Sequence, residues 1–221
     1  MAKFKALLFD LDGTLVDSEH FHFNTWNELL AESNVQLEYH DFLKNYAGIP
    51  LPGNAKRLKE LYEIESPLDL LISRKEDLTV ERLKTSKIDL MPYVQDTLDF
   101  FLSTGVKMAL VTASKRPDVD EMFIKNGLSK YFSFLVTRSD VVNSKPDPES
   151  YNLAVKKFGL EKSECLVFED TLNGLRAAKG AELTCFVIQG NSEDHLKLAA
   201  ADKIFVDFQQ ARDYLVKNEL I

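Results

Sequence analysis

Two aspartates stand two residues apart at the end of an apolar run, in "LLFDLDGTLVDSE" from Leu7 to Glu19. A bare carboxylate at the end of a buried strand is costly, so Asp10 and Asp12 demand partners. A simple turn with Gly13 is one reading of them. A calcium loop is excluded, because it needs glycine at its sixth position and glutamate at its twelfth, where this chain has Leu15 and Phe21. Polar residues of complementary type recur downstream: Thr112-Ala113-Ser114, Lys145 within "SKPDP", and the pair Glu169-Asp170. Each has a local alternative. Ser114 or Asp170 could cap the helix that follows it, and "KPDP" could simply start one. Taken together, a hydroxyl, an ammonium group and several carboxylates are the makings of an oxygen-rich site.

The elements that must position these groups are legible from hydrophobic patterning. Short, almost continuous apolar runs occur at 5–10, 106–112, 133–137, 165–170, 183–188 and 203–207. Such runs fit strands covered on both faces, as in parallel sheets. Helical patterns separate them at 93–105, 116–127, 147–159, 171–181 and 208–218, several ending in glycine. For the third of these, Asp147 is the expected N-cap and Pro148 the first helical residue. The alternation predicts an α/β fold with a doubly wound, mainly parallel sheet. Ligands bind such sheets outside the carboxyl ends of the strands, and every polar group named above follows a strand.

Residues 18–89 break the alternation and read as helices throughout. "HFHFNTWNELLAES" places Phe23, Trp26 and Leu30 at helical spacing. The expected organisation is an α/β core of residues 1–17 and 90–221 with an inserted helical cap of residues 18–89.

Composition limits the functions open to this chain. Its 221 residues are 45% hydrophobic, enough for one substantial core and a smaller unit. Net charge is −8 and the basic residues are scattered, which argues against nucleic-acid binding. Cys165 and Cys185 lie in strand-like runs and read as buried thiols of a reducing compartment. No stretch has the length of a membrane span or the form of a signal peptide, so a cytoplasmic protein that does not bind membranes is expected.

The motifs "DLDGTLVD", "LVTAS", "SKPDP" and "FEDTLNG" resemble, in order and spacing, the four motifs of the haloacid dehalogenase-like hydrolase superfamily. The resemblance covers essentially the whole chain. It is strongest to the helical-cap branch, in the group of β-phosphoglucomutases and sugar-phosphate phosphatases. It implies that Asp10 attacks phosphorus and becomes an aspartyl phosphate, while Asp12 serves as general acid and then base. It implies a magnesium ion held by Asp10, the backbone carbonyl of Asp12, Asp170, and Glu169 directly or through water. Thr112, Ala113 and Ser114 would hold phosphoryl oxygens, and Lys145 would neutralise charge. These roles make physical sense. An aspartate approaching a phosphate at ~4 Å is repelled by about 4 kcal/mol per charge pair at an effective dielectric of 20. A cation held by carboxylates offsets that repulsion, and magnesium suits an all-oxygen site.

The second acid, Asp12, favours oxygen esters over the substrates of dehalogenases, and Leu11 stands where a P-type ATPase has lysine. The resemblance also marks cap residues. His20 and His22 lie near the hinge, and His22 matches a histidine that assists cap closure in β-phosphoglucomutases. Gly48 lies in the substrate-specificity loop. The mutases carry an arginine just after that glycine, which this chain lacks; Arg57, Arg74 or Lys75 could substitute. The expected activity is hydrolysis of a small sugar or polyol phosphate by a monomer. A hexose-phosphate mutase is the first alternative. A phospho-accepting signalling domain is the second, disfavoured by the inserted cap.

Overall fold

A computed structural model describes residues 3–191 and 195–221; Met1 and Ala2, at the start of the expected core segment, lie outside them. Among the described residues, six strands form one parallel sheet in the order β3-β2-β1-β4-β5-β6. They are β1 (Ala6–Phe9), β2 (Lys107–Val111), β3 (Phe134–Val136), β4 (Cys165–Glu169), β5 (Thr184–Ile188) and β6 (Lys203–Phe205). Strand order reverses beside β1, so the crevice at its carboxyl end is where a doubly wound sheet binds ligands.

Side chains alternate across β1 with the period of two that a strand dictates. Leu7 and Phe9 enter one apolar layer with α5 (Val94–Thr104), α6 (Arg116–Asn126) and α9 (Phe208–Lys217). Ala6 and Leu8 enter the opposite layer with α7 (Glu149–Phe158) and α8 (Leu172–Gly180). Both faces are therefore covered, which explains why the strand sequences carry no polar alternation.

Residues between the first two strands fold as α1 (Glu19–Leu30), α2 (Tyr39–Asn45), α3 (Leu51–Leu61) and α4 (Leu68–Thr85). Trp26, Leu30, Phe42, Leu58 and Leu71 bury one another in an apolar cluster separate from both sheet layers. The chain leaves and re-enters the core at one place. Val16 bridges Leu90 in antiparallel fashion, Asp17 N–H donates to Asp89 O at 2.9 Å, and Met91 N–H to Leu15 O at 2.9 Å.

Two local expectations shift. Helix α7 starts at Glu149, with Pro148 rather than Asp147 at the N-cap; Asp147 Oδ1 instead accepts from Glu149 N–H at 2.9 Å. The cap of α8 is Thr171, whose side chain accepts from Gly174 N–H, which leaves Asp170 free for the strand-end crevice.

The sheet's aromatic centre yields a stability test. Phe168 stacks on Phe9 at 5.0 Å and packs on Phe208 at 5.4 Å, fully buried. Phe168→Ala should cost roughly 3–5 kcal/mol, read as a lowered urea midpoint with an unchanged slope.

Candidate active site

Parallel register assembles the site. Phe9 pairs with both Leu110 and Phe168, so the next residues, Asp10, Val111 and Glu169, fall side by side at the sheet's carboxyl edge. Lys145, from the segment between β3 and α7, reaches into that row. Its Nζ donates to Asp10 Oδ1 at 2.5 Å, Glu169 Oε1 at 2.5 Å and Val111 O at 2.8 Å. All three ammonium hydrogens are thereby used. No hydrogen bond from the described residues reaches Asp10 Oδ2.

Asp170 completes an acidic group. One oxygen each of Asp10, Glu169 and Asp170 lies within 4.8 Å of the others. Thr14 Oγ1 donates to Asp170 Oδ1 at 2.9 Å. Gly13, at φ +76°, lies so close that a Cβ there would meet Asp170 Oδ2 at 2.2 Å. Glu169 is fully buried. Tyr151 Oη donates to its Oε1 at 2.7 Å, and a Cβ on Gly174 would fall 1.9 Å from its carboxyl. Tyr151, Thr14 and Gly174 are thus structural partners that motif reading missed. The visible signals were a tyrosine early in α7 and a glycine inside α8.

Charge explains the behaviour of this group. Burial pushes the Asp10 carboxyl up to about 8, although Lys145 pulls it down. Burial, with the charges of Asp10 and Glu169, drives Asp170 well above the carboxylate range. Three acids face one ammonium, so two negative charges remain uncompensated when all ionise. A divalent cation balances them, and the donors are all oxygen, so the residues fit such an ion.

Asp12 behaves differently. Its burial is outweighed by His22 and by the Ser114 hydrogen bond, and it is held down to about 2. Ser114 Oγ donates to Asp12 Oδ2 at 2.5 Å, and His22 Nε2 stands 3.5 Å from Oδ1. By strict geometry Asp12 Oδ1 is a buried acceptor without a hydrogen bond. Thr112 is buried, and its hydroxyl oxygen accepts from Ser114 N–H at 3.0 Å, leaving the hydroxyl proton to donate. Ala113 lies between them on the exposed turn.

The helices of residues 18–89 cover this edge. His22, not His20, meets the acids; His20 Nδ1 instead pairs with Tyr39 Oη at 2.8 Å. Gly48 abuts Thr171 of the loop after β4, and Asn173 Nδ2, in the first turn of α8, donates to Gly48 O at 3.1 Å. Lys75 is buried on α4, with Nζ 2.9 Å from Thr79 Oγ1 and 5.4 Å from the Trp26 ring centre. Arg57 donates to Asn45 O at 2.8 Å and Arg74 pairs with Glu32, so both are engaged within the helical block.

Fold and site together define an enzyme with a doubly wound α/β core. More particularly, a model for haloacid dehalogenase-like hydrolases matches residues 7–188, and the chain belongs to that family. A phosphorylated carbohydrates phosphatase of Thermotoga maritima is 31% identical over 177 residues, covering 80% of this chain and 81% of that protein. Protein CbbY of Cereibacter sphaeroides is 28% identical over 93% of each chain. A mutant of CbbY from Rhodobacter sphaeroides, solved with xylulose-(1,5)bisphosphate, superposes with a TM-score of 0.80 at 26% identity, covering 93% of this chain and 95% of that one. Among the described residues, no helix is long and apolar enough to cross a membrane.

Two outcomes test the site. Asp10 and Asp170 titrate above the ordinary carboxylate value of 3.8 when folded. The native protein therefore binds more protons than the unfolded chain, and from Asp10 alone the window runs from pH 3.8 to about 8. Metal-free protein should lose thermal stability as pH rises through that window, and a divalent cation should raise Tm more at pH 8 than at pH 5. Gly174→Ala should force Glu169 aside and lower stability by about 1–3 kcal/mol, measured by denaturant unfolding.

Proposed function

We propose that this protein is a magnesium-dependent phosphatase of a small phosphorylated metabolite, a sugar or polyol phosphate, acting through an aspartyl phosphate on Asp10. The observation that carries the reading is Lys145 bridging Asp10 and Glu169 beside Asp170, at the sheet's switch point. Relatives named for phosphorylated carbohydrates support the substrate class. In this reading residues 1–17 and 90–221 are the catalytic core and 18–89 the cap. Buried thiols at Cys165 and Cys185 fit the cytoplasm.

Lys145 holds Asp10 Oδ1 and leaves Oδ2 to attack phosphorus in line with the leaving oxygen. Asp170 and Asp10, with the Asp12 carbonyl and Glu169 nearby, would hold the magnesium ion, which offsets phosphate charge and aligns the phosphoryl group. Thr112 donates its hydroxyl proton to a phosphoryl oxygen, and Ala113 and Ser114, on the turn that follows, close that side. Asp12 passes a proton to the leaving alkoxide. The phosphate dianion beside it raises its proton affinity from the ligand-free position. Asp12 then accepts a proton from the water that cleaves the acyl phosphate. His22 and Gly48 bring the cap against the core and exclude bulk water. A mutase needs a cation for the second phosphate of a bisphosphate. Arg57 and Arg74, two of the three cations that could substitute, are engaged on Asn45 and Glu32, which supports hydrolysis.

Phosphate release from sugar and polyol monophosphates should require magnesium. Asp10→Asn should abolish it with Tm preserved, and Asp12→Asn should reduce kcat by about 10²–10⁴-fold. Turnover by folded Asp10→Asn would overturn the nucleophile, and an isomerised sugar phosphate without free phosphate would favour the mutase.

A further inference from the structure

The loop of residues 46–50 joins α2 to α3 and carries Gly48, which meets the core one turn from the acidic group. Carbonyls at the end of α2 have no helical donors. Two side chains of α3, three residues apart and so on one face, supply them. Asn54 Nδ2 donates to Tyr46 O at 2.8 Å and to Ile49 O at 3.2 Å, and Arg57 donates to Asn45 O at 2.8 Å. Asn54 is buried, and its two amide hydrogens tie both flanks of Ala47-Gly48 to one point. Its Oδ1 is a buried acceptor with no hydrogen bond from the described residues. An apolar side chain would escape that cost, so the value of the amide here lies in its donors. The loop so held presents Gly48 to the core. At φ +67°, a Cβ on Gly48 would meet Thr171 Cγ2 at 3.0 Å, and the Gly48 carbonyl accepts from Asn173 Nδ2 at 3.1 Å. Thr171 directly follows Asp170 and caps α8. The helical block therefore touches the very turn that carries Glu169 and Asp170.

From this geometry we infer that Asn54 is a positioning residue for closure. It fixes the loop so that Gly48 O meets Asn173, and this latch biases the helical block toward the arrangement that covers the site. A single hydrogen bond suits such a joint: it favours closure, yet water replaces it when product must leave. The latch touches no reacting atom. It is made alike with substrate and with transition state, so its loss raises KM and leaves kcat in place. The inference rests on the phosphatase reading for what closure serves, but the latch itself is measured without turnover.

Steady-state kinetics and hydrogen exchange of the full-length protein test it. The substrate is whichever of glucose 6-phosphate, ribulose 5-phosphate and sorbitol 6-phosphate the wild type hydrolyses fastest with magnesium. Asn54→Ala and Asn173→Ala should each raise KM about three- to tenfold, the worth of one hydrogen bond, with kcat held within about twofold. Both act on one contact, so the double variant should raise KM no more than about twofold beyond the larger single effect. Asn54→Ser, which keeps one donor, takes the place of Asn54→Ala if that variant folds poorly. In ligand-free protein the amides of Ala47 and Ile49 are bonded to Phe42 O and Tyr46 O. Asn173→Ala should speed their exchange about threefold or more, while the amides of β4 keep their rates. Four results would overturn the inference: single effects that multiply in the double variant, kcat falling where KM should rise, a KM that either single variant moves less than about twofold, or unchanged exchange at Ala47 and Ile49. Exchange raised as expected, alongside a wild-type protein that releases no phosphate from any of the three esters, would instead defeat the phosphatase reading and leave the latch standing.

Discussion

Three carboxyl groups and one ammonium group share a largely buried pocket at the end of the central strand. Burial opposes every one of those charges, and Lys145 can answer only part of it. The neighbouring architecture serves that imbalance. Tyr151 donates to Glu169, Thr14 to Asp170, and Val111 O accepts the third ammonium hydrogen. Gly13 and Gly174 give up their side chains so that Asp170 and Glu169 can fit. In the proposed reading a cation relieves the pocket's negative charge, and cation and phosphate bind as a set, because each arrival makes the other's binding more favourable.

Register is what makes the pocket possible. The row Asp10, Val111, Glu169 exists because β1 is flanked by β2 and β4 in matched parallel alignment. A one-residue slip would turn the acids into the apolar layers. The stacked rings of Phe9 and Phe168, immediately before Asp10 and Glu169, resist that slip. Packing of the core and placement of the charges are therefore one constraint: the phenylalanines that stabilise the sheet also aim the acids.

How much of this was legible follows from the range of the interactions. Strand-end residues were readable because apolar runs stop on them, and Asp10, Lys145 and the Glu169-Asp170 pair fall within one group while Asp12 lies beside it with His22 and Ser114. The helical block of residues 18–89 was readable from spacing, and Trp26 and Leu30 are buried as that spacing requires. Partners set by tertiary register were not. Nothing local marks Tyr151 as the donor to Glu169, since it lies eighteen residues away and on the opposite layer from Phe9. His22 rather than His20 was marked by the family resemblance and not by local pattern, since which of the two meets Asp12 is set by the side of α1 that faces the core. The shifted start of α7 has a local cause: Pro148 adopts φ −73° and ψ −3°, a half-turn geometry that delays the helix by one residue.

The contacts between helical block and core differ in kind from those that build the pocket. The carbonyls at the end of α4 and in the return segment lack helical donors. Core side chains supply them: Lys125 donates to Leu83 O and, at 2.9 Å, to Ser86 O, and Asn126 Nδ2 donates to Ile88 O at 3.1 Å. These lie near the Val16–Leu90 bridge, where the chain leaves and re-enters the core. Farther out the contacts are sparse and polar: Lys115 with Glu76, Asn173 with Gly48, His22 with Asp12. Partly exposed ion pairs such as Lys115–Glu76 contribute little, roughly 0–1 kcal/mol, and water replaces them readily. Phe21, Leu83 and Ile88 join the core's apolar layer, and in the proposed reading the weaker polar contacts let the helical block part from the core there while its own apolar cluster stays intact. In the proposed reading closure then depends on what lies between the two units: a substrate that bridges the core and the helical block supplies the missing contacts, so the binding that holds it also shuts out water.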